Sequence, residues 1–431
     1  MKRSIVGLVA ILFLVNEAFA QTDIYLSGAA KLLPIAVPQL CQEAAPTTAT
    51  KEIPNTIGRD LDLSGYFEVL SPSAYIESPG KCGGPESMTY SDWTVIGADH
   101  VVKGNVSVSG SRLRARMWLV DVIKQQAVLG KEYEAGANDA SMVAHRFANE
   151  ILKYFTGSYG PFGTQIAFST KVGRFKEIAI MDMDGGNLRQ LTNERSLATS
   201  VSWAPNGKSL IFTSYRARVP DLFTIDIFNR SIKNLTNNAD LELSPHYMRN
   251  GTILASINEG NKDSHLVILD GNGRMLRRIT SGSGVIDVSG QWSPDESQIV
   301  FCSNRGGGPQ IYVMNANGSD VHRISFVSSN YCTSPAWSPK GDKITFICRA
   351  DAGFNVFVSA PDGSNPMQLT SYGDNEDPTW SPDGRYIAFS STLGKGVIPS
   401  IALIRADGAG LKQITKSRSG DYNPAWGPGI E

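Results

Sequence analysis

Two adjacent carboxylates, Glu376 and Asp377, are the side chains of this sequence that come nearest to acid–base chemistry. A glycosidase needs such a pair, with one carboxyl group donating a proton and the other acting as base or nucleophile. This pair lies in a predicted loop between strands, where acidic residues are typically solvated or face a partner. We therefore predict no catalytic residues and keep a hydrolase or lyase as an alternative.

Asp182 and Asp184, followed by Gly185, resemble the beginning of a calcium-binding loop. No Glu follows at the distance that such a loop requires, and equivalent turns elsewhere contain Asn or Arg. The five histidines have no metal-ligand spacing; they are His100, His145, His246, His265 and His322. We predict a turn here, with no metal and no cofactor.

Other catalytic and nucleic-acid signatures are missing from the sequence. It contains no G-x-S-x-G nucleophile elbow, no Walker A loop and no H-E-x-x-H motif. The 40 Lys and Arg residues balance 41 Asp and Glu residues, and no basic run predicts nucleic-acid binding. Binding of another protein is the class of function that this pattern favours.

The first 20 residues have the pattern of a secretory signal peptide. Lys2 and Arg3 precede an apolar run over residues 5–15, and Ala18-Phe19-Ala20 is a small-x-small cleavage pattern. No later stretch has 18 apolar residues in succession. We predict export to the periplasm and a mature chain that starts at Gln21.

The five cysteines are compatible with an oxidising compartment, and no C-x-x-C pair is present. Cys332 and Cys348 flank a predicted hairpin turn and could face each other across it. Cys41 and Cys82 are a second possible pair, argued from the compartment alone. Both disulfides stay open at this point, and Cys302 is expected to be a small buried apolar residue.

A repeat of about 45 residues decides the predicted fold. A strand ending in an aromatic residue precedes a turn such as Ser381-Pro382-Asp383-Gly384. The aromatic positions are Trp203, Tyr247, Trp292, Trp337, Trp380 and Trp426. An apolar residue followed by Thr or Ser recurs in phase with them, ending at Thr192, Thr236, Thr280, Ser325, Thr370 and Thr415.

Four short strands in each repeat, without helical periodicity, are typical of a propeller blade. Six repeats predict a six-bladed β-propeller over residues 160–431. Residues 166–169 match the second strand of a blade, but no strand ending in tryptophan comes before them. Trp426 ends a strand that matches the first strand of a blade, and no second strand follows it. The C-terminal strand should therefore complete the blade that begins at Ile166. We expect the tryptophans to pack between blades rather than to stack on a ligand.

The repeat is absent from residues 21–159, where the sequence pattern predicts a small α/β domain. Alternating patterns over residues 101–109 and 112–121 indicate two strands joined at Gly110-Ser111. Residues 140–155 have helical spacing of apolar side chains, with Asn138 or Asp139 as a possible cap. The fold class is thus mainly β, with an α/β domain before the propeller.

The longer blade connections come just before the innermost strands and should surround the mouth of the central channel. Their mixture of polar, apolar and aromatic residues favours a protein- or peptide-binding rim. A ligand or metal sensor acting in the channel is a weaker alternative.

Several segments resemble the TolB family of the Tol–Pal system over essentially the whole mature chain. Residues 34–37 (PIAV) are similar to the family's RPIAV, and residues 97–104 (GADHVVKG) to its GADYVVxG. Residues 119–122 (LVDV) resemble LxDV, and residues 154–157 (YFTG) resemble a stretch ending in LTG. The chain departs from the family at Leu33, where Arg is usual, and in a less charged N-terminal arm.

The resemblance implies a periplasmic, non-catalytic adaptor that supports outer-membrane integrity and constriction at division. It would bind the lipoprotein Pal, and through Pal the outer membrane, with mouth residues. These are Ser200, Leu241, Ser244, Val288, Ser289, Ser334, Asp377 and Asn423. It would bind TolA through an arm over residues 22–31, which begins Thr22, Asp23, Ile24, Tyr25, Leu26 and Ser27.

Overall fold

The computed structural model describes residues 32–42, 47–78, 81–217, 219–237, 241–259, 263–350, 353–393 and 398–429. The predicted signal peptide and the arm over residues 22–31 lie outside them. Across the described part of the chain, no helix combines the length and the apolar character needed to cross a membrane.

The N-terminal domain is one mixed sheet covered by helices. Its sheet order is β3-β1-β4-β5-β6, and β2 also pairs with β4. The strands are β1 (Leu33–Ala36), β2 (Cys41–Gln42), β3 (Phe67–Val69), β4 (His100–Ser109), β5 (Arg112–Asp121) and β6 (Gln126–Gly136). The helices are α1 (Ala49–Ser64), α2 (Tyr90–Thr94), α3 (Ala140–Thr156) and the 3₁₀ turns Pro72–Ala74 and Pro85–Ser87.

The two long helices bury regular apolar rows. On α3 the row includes Phe147 and Ile151, as the sequence pattern predicts, and both side chains are fully buried. On α1 the row is Ile53, Ile57 and Leu61, which are also fully buried at i, i+4 and i+8. The sequence analysis missed α1, because a proline lies inside this helix and proline normally interrupts one.

Six four-stranded antiparallel sheets form the propeller and confirm the predicted fold class. Blade 1 is β10 (Ala198–Trp203), β11 (Ser209–Ala217), β12 (Val219–Asp226) and β13 (Ile232–Asn234). Blade 2 is β14 (Leu241–Tyr247), β15 (Ile253–Glu259), β16 (Asp263–Leu269) and β17 (Met275–Arg278). Blade 3 is β18 (Asp287–Trp292), β19 (Gln298–Ser303), β20 (Gln310–Asn315) and β21 (His322–Arg323).

The remaining blades close the ring as predicted. Blade 4 is β22 (Cys332–Trp337), β23 (Ile344–Ala350), β24 (Gly353–Ser359) and β25 (Met367–Gln368). Blade 5 is β26 (Asn375–Trp380), β27 (Tyr386–Ser391), β28 (Ser400–Arg405) and β29 (Lys412–Gln413). Blade 6 joins the C-terminal strand β30 (Asp421–Trp426) to β7 (Gln165–Val172), β8 (Phe175–Asp182) and β9 (Arg189–Gln190).

The repeated Thr or Ser has the same structural role in every blade. Its side-chain oxygen accepts a hydrogen bond from the backbone N–H of the residue 14 positions earlier, at 2.8–3.0 Å. The donor is a buried N–H of the third strand, and the hydroxyl that bonds it lies just beyond the end of the outer strand. This contact explains why a hydroxyl residue recurs there.

The tryptophans pack between blades, in agreement with the sequence interpretation. The indole N–H of Trp380 donates to the carbonyl of Ala336 in the preceding blade at 3.0 Å. That of Trp203 donates to the carbonyl of Ala425 at 2.9 Å, and both bonds link neighbouring inner strands. Their rings also border the channel.

Both cysteine pairs that the sequence left open are disulfides in the structure. Cys332 and Cys348 are register partners on β22 and β23, and Cys41 pairs with Cys82. Cys302 is a buried free thiol, as expected.

Candidate functional site: the mouth of the propeller channel

The inner strands of all six blades line a central channel with a cavity of about 360 Å³. These strands are β10, β14, β18, β22, β26 and β30. Because each inner strand contributes the same few positions, one repeat position forms a ring inside the channel.

Six residues with a left-handed backbone conformation form a ring in this channel. Each inner strand has a β-bulge, and at each bulge one non-glycine residue has a φ of 48–54°. The six residues are Ser200, Ser244, Ser289, Ser334, Asp377 and Asn423, and all line the cavity. They are six of the eight mouth residues that the sequence analysis named. A left-handed residue other than glycine costs about 1–2 kcal/mol, less for Asn or Asp, so the propeller maintains an unfavourable backbone at this position six times.

The other two named residues are not part of the ring. Leu241 is the first residue of β14, three positions before the bulge. Val288 is half-buried and packs against the apolar cluster between blades 3 and 4. Successive side chains of a strand point to opposite faces. Val288 directly precedes the bulge residue Ser289, so its side chain packs between the blades and does not join the ring.

Side chains from four successive blades form a hydrogen-bonded mouth network. Ser334 Oγ donates to Asp377 Oδ1 at 3.0 Å, and Asn423 Nδ2 donates to Asp377 Oδ2 at 2.5 Å. Thr199 Oγ1 donates to Asn423 Oδ1 at 2.6 Å. The network therefore crosses blades 4, 5, 6 and 1 at the level of the bulges.

Glu376 and Asp377 are the mouth carboxylates that acid–base chemistry would use, and the pKa of each is raised. Burial raises the pKa of Asp377, and the hydrogen bonds from Ser334 and Asn423 partly oppose that shift. Burial, together with the charge of Asp377, also raises the pKa of Glu376. Both oxygens of Asp377 already accept hydrogen bonds, and it occupies the position that serine fills in four of the other five blades. Its place in the repeat explains it without a substrate.

Lys176 on β8 is a mouth residue that the sequence analysis did not single out. Its ammonium group lies 3.8 Å from the centroid of the Tyr422 ring. Burial lowers the pKa of Lys176, and the nearby charges of Asp377 and Glu376 oppose that shift. Lys176 lies within a blade, but no other blade has a lysine at this position, so sequence comparison between blades could not have identified it.

Exposed apolar side chains lie at the mouth end of the blades. Some are at or after the ends of the second strands, and the others are in the connections that lead to the inner strands. They are Val172, Leu197, Tyr215, Ile286, Tyr331, Tyr372 and Ile398, each at least 39% exposed. Exposed apolar residues interspersed with polar ones, around a concave centre, are typical of a protein-binding surface.

Asp182 and Asp184 meet His145 of the N-terminal domain, and the three side chains have a geometry that could hold a metal ion. Protein groups already bind these carboxylates, however. The Arg59 guanidinium lies 2.8 Å from Asp184, and Asn187 donates to Asp182 at 2.6 Å. A guanidinium in this position disfavours a cation, so we interpret the cluster as a polar contact between domains.

The N-terminal domain packs on blades 5 and 6 at the face opposite the mouth. Tyr386 Oη donates to the carbonyl of Ser64 at 3.0 Å, and an Arg405 N–H donates to the carbonyl of Gly65, also at 3.0 Å. A single apolar cluster contains residues of both parts, including Phe147 and Trp426. The described part of this domain therefore leaves the mouth uncovered.

Two family models match the chain. One, described as the TolB amino-terminal domain, matches residues 25–128, and the other, described as the TolB beta propeller domain, matches residues 152–430. A curated Tol-Pal system protein TolB from Syntrophotalea carbinolica is 33% identical over 201 residues, which is 46% of each chain. A Tol-Pal system protein TolB from Anaeromyxobacter sp. (strain K) is 34% identical over 168 residues, 39% of each chain. The aligned stretches thus span less than half the length of these relatives.

Solved structures share the fold. The crystal structure of TolB from Acinetobacter baumannii superposes with a TM-score of 0.79 at 22% identity, covering 93% of this chain and 97% of the other. Hydrazine synthase from Kuenenia stuttgartiensis also superposes, with a TM-score of 0.52 at 16% identity over 62% of this chain and 47% of the other. A propeller also occurs in an enzyme, so the fold alone does not assign the function. The two family models, which together match most of the sequence, show that the chain belongs to the TolB family.

Proposed function

We propose that this protein is a periplasmic, non-catalytic adaptor of the Tol–Pal system. It binds Pal through the channel mouth and TolA through the arm over residues 22–31, and it supports outer-membrane integrity and constriction at division. The observation that carries this proposal is the ring of six left-handed bulge residues inside a mouth with an exposed apolar rim.

The mouth has the physical properties that recognition of a folded partner requires. The bulge residues lie on strands of a closed ring, so their positions are fixed before binding and little entropy is lost there. The rim provides apolar area, whereas the mouth network presents polar groups in a defined arrangement. Membership in the TolB family and the names of the relatives support Pal as this partner.

The arm gives the adaptor a second, separate contact. Ordering ten residues costs roughly 1–2 kcal/mol per residue in backbone entropy, so the contacts of a docked arm must offset a large cost. A partner that binds only one state of the arm can therefore shift the balance. Deleting residues 22–31 should abolish TolA binding and change the affinity for Pal; if both stayed unchanged, this part of the proposal would be wrong.

A pull-down from detergent-solubilised envelopes tests the proposal. Mature protein, residues 21–431, is the bait, and mass spectrometry identifies what is retained. We expect a Pal-type lipoprotein, and we expect the double variant Ser244→Arg/Ser289→Arg to lose it.

The matched control carries Ser231→Arg and Asn272→Arg, two exposed turn positions away from the mouth. It should retain the lipoprotein as the unmodified protein does. Retention by both variants would place the contact elsewhere, and recovery of no envelope lipoprotein would contradict the adaptor function.

A further inference from the structure

One sector of the rim carries six cationic side chains, which we call the cationic sector. It consists of Lys171, Arg174, Lys176, Arg195, Lys416 and Arg418, from blade 6 and the connections on either side of it. We propose that the cationic sector binds an acidic segment of the protein that docks on the channel mouth. This inference rests on the proposed function and extends it to the chemistry of the partner.

Backbone contacts hold the three segments of the sector together. The N–H of Lys171 donates to the carbonyl of Gly420 at 2.8 Å, and Ser419 Oγ donates to the carbonyl of Lys171 at 2.6 Å. The N–H of Lys176 donates to the carbonyl of Ser196 at 2.9 Å. The cationic side chains therefore project from one ordered surface rather than from independent loops.

None of the six cations has a carboxylate within ion-pair distance among the described residues. The acidic groups of the same segments are already engaged with other groups. Glu177 accepts hydrogen bonds from Thr192 and from two backbone N–H groups, and Glu194 pairs with Arg216. Asp421 accepts a hydrogen bond from Thr170 and is buried. The six cations outnumber the three acidic groups of these segments, Glu177, Glu194 and Asp421. The sector thus has an excess of positive charge, which an acidic partner would neutralise.

The surroundings of the sector favour a protein over an anionic membrane. Val172 and Leu197 are exposed between the cations, as in the core of a protein interface. The sector borders the concave mouth, and the negative charge of Glu376 lies near enough to Lys176 to act on its pKa. A flat anionic bilayer could not enter the concavity and would be repelled by Glu376, whereas a folded partner can place its acidic groups only where the cations are.

Association kinetics with the soluble domain of Pal test the proposal. The variant Lys171→Glu/Arg174→Glu reverses two exposed charges of the sector, and Lys208→Glu/Lys233→Glu reverses two exposed charges outside it. We expect the first variant to associate about tenfold more slowly at low ionic strength, with the difference falling to about twofold at 0.5 M salt. The control should associate as the unmodified protein does.

Two further probes separate this proposal from its alternatives. If Pal binds and both variants associate at equal rates, the acidic-segment proposal is overturned while the proposed function stands. If Pal does not bind at all, the proposed function fails, and a deca-glutamate peptide then tests the sector alone. If the peptide binds and Lys171→Glu/Arg174→Glu abolishes that binding, the result supports an acidic ligand for the cationic sector. If the peptide does not bind, the acidic-segment proposal is overturned. The proposal would also be overturned, in favour of a membrane contact, if the protein bound only to vesicles with 30% phosphatidylglycerol and Lys171→Glu/Arg174→Glu weakened that binding.

Discussion

Nδ1 of His145 lies 2.7 Å from Oδ2 of Asp60, in a fully buried contact between helices α3 and α1. On the other side of the ring, Nε2 lies 3.9 Å from a carboxylate oxygen of Asp182 on blade 6. One imidazole therefore stands between carboxylates of the N-terminal domain and the propeller. Burial alone would lower the pKa of His145, but Asp182 and Asp60 outweigh it and raise this pKa to about 10.

This contact makes stability depend on pH above neutrality. A pKa raised in the folded state means that the stabilisation from His145 is complete below its ordinary pKa of 6.5 and is lost as pH rises towards 10. We expect His145→Gln to lower the free energy of unfolding by about 3 kcal/mol at pH 7, because it leaves buried carboxylates unpaired. The deficit should shrink as pH approaches 10.

Denaturant unfolding of the protein and the variant from pH 7 to 10 measures this difference. The range stays above pH 6, because burial raises the pKa of Asp60 to about 6 and its protonation would add a second effect. His322→Gln, at an exposed histidine, is the control and should change little. A deficit that is constant with pH would show that His145 is not charged at neutrality.

Removing one interdomain hydrogen bond should weaken the attachment of the N-terminal domain. Tyr386→Phe deletes the hydroxyl that donates to the carbonyl of Ser64 and leaves that buried carbonyl without this donor. We expect a loss of about 1–2 kcal/mol in unfolding free energy. Tyr215→Phe, at an exposed tyrosine of the rim, should cost less than about 0.5 kcal/mol. Equal stabilities of the two variants in urea titrations would refute this.

The left-handed bulges predict an unusual response to glycine. At Ser289, with a φ of 54°, glycine removes a steric cost and should stabilise the protein or leave it unchanged. A β-branched residue increases that cost, so Ser289→Val should lose about 1–2 kcal/mol. Ser231→Gly, outside the left-handed set, should instead destabilise slightly. Urea unfolding of all three variants checks the order, and a destabilising Ser289→Gly would count against strain at the bulge.

The disulfide of blade 4 should contribute strongly to stability. Cys332 and Cys348 close a loop with a sequence separation of 16, for which the loss of unfolded-state entropy corresponds to about 3 kcal/mol. We expect Cys332→Ala/Cys348→Ala to lose about that much in denaturant unfolding. Cys302→Ala alters a buried thiol without breaking a cross-link and should lose about 1 kcal/mol. A double variant as stable as Cys302→Ala would contradict this account.

The repeated features of the fold could be predicted from the sequence. Each blade is a local antiparallel unit, so its aromatic residue, its turn glycine and its hydroxyl residue recur with one period. The glycines of three such turns, Gly207, Gly341 and Gly384, have the positive φ that this pattern predicts. Ring closure through Ile166 and Trp426 followed from the incomplete units at the two ends of the repeat. Helix α1 was missed because its signal is a single apolar row interrupted by Pro54.

The sequence by itself determined the six-bladed ring and the position of its mouth, because both follow from local patterns that repeat. Only the tertiary structure decided which mouth residues meet and what charge they present. The contact of Ser334 with Asp377 joins different blades, and that of Asp60 with His145 joins two helices far apart in sequence. Such contacts depend on how separate units pack, and packing over long sequence distances leaves no period in a single sequence.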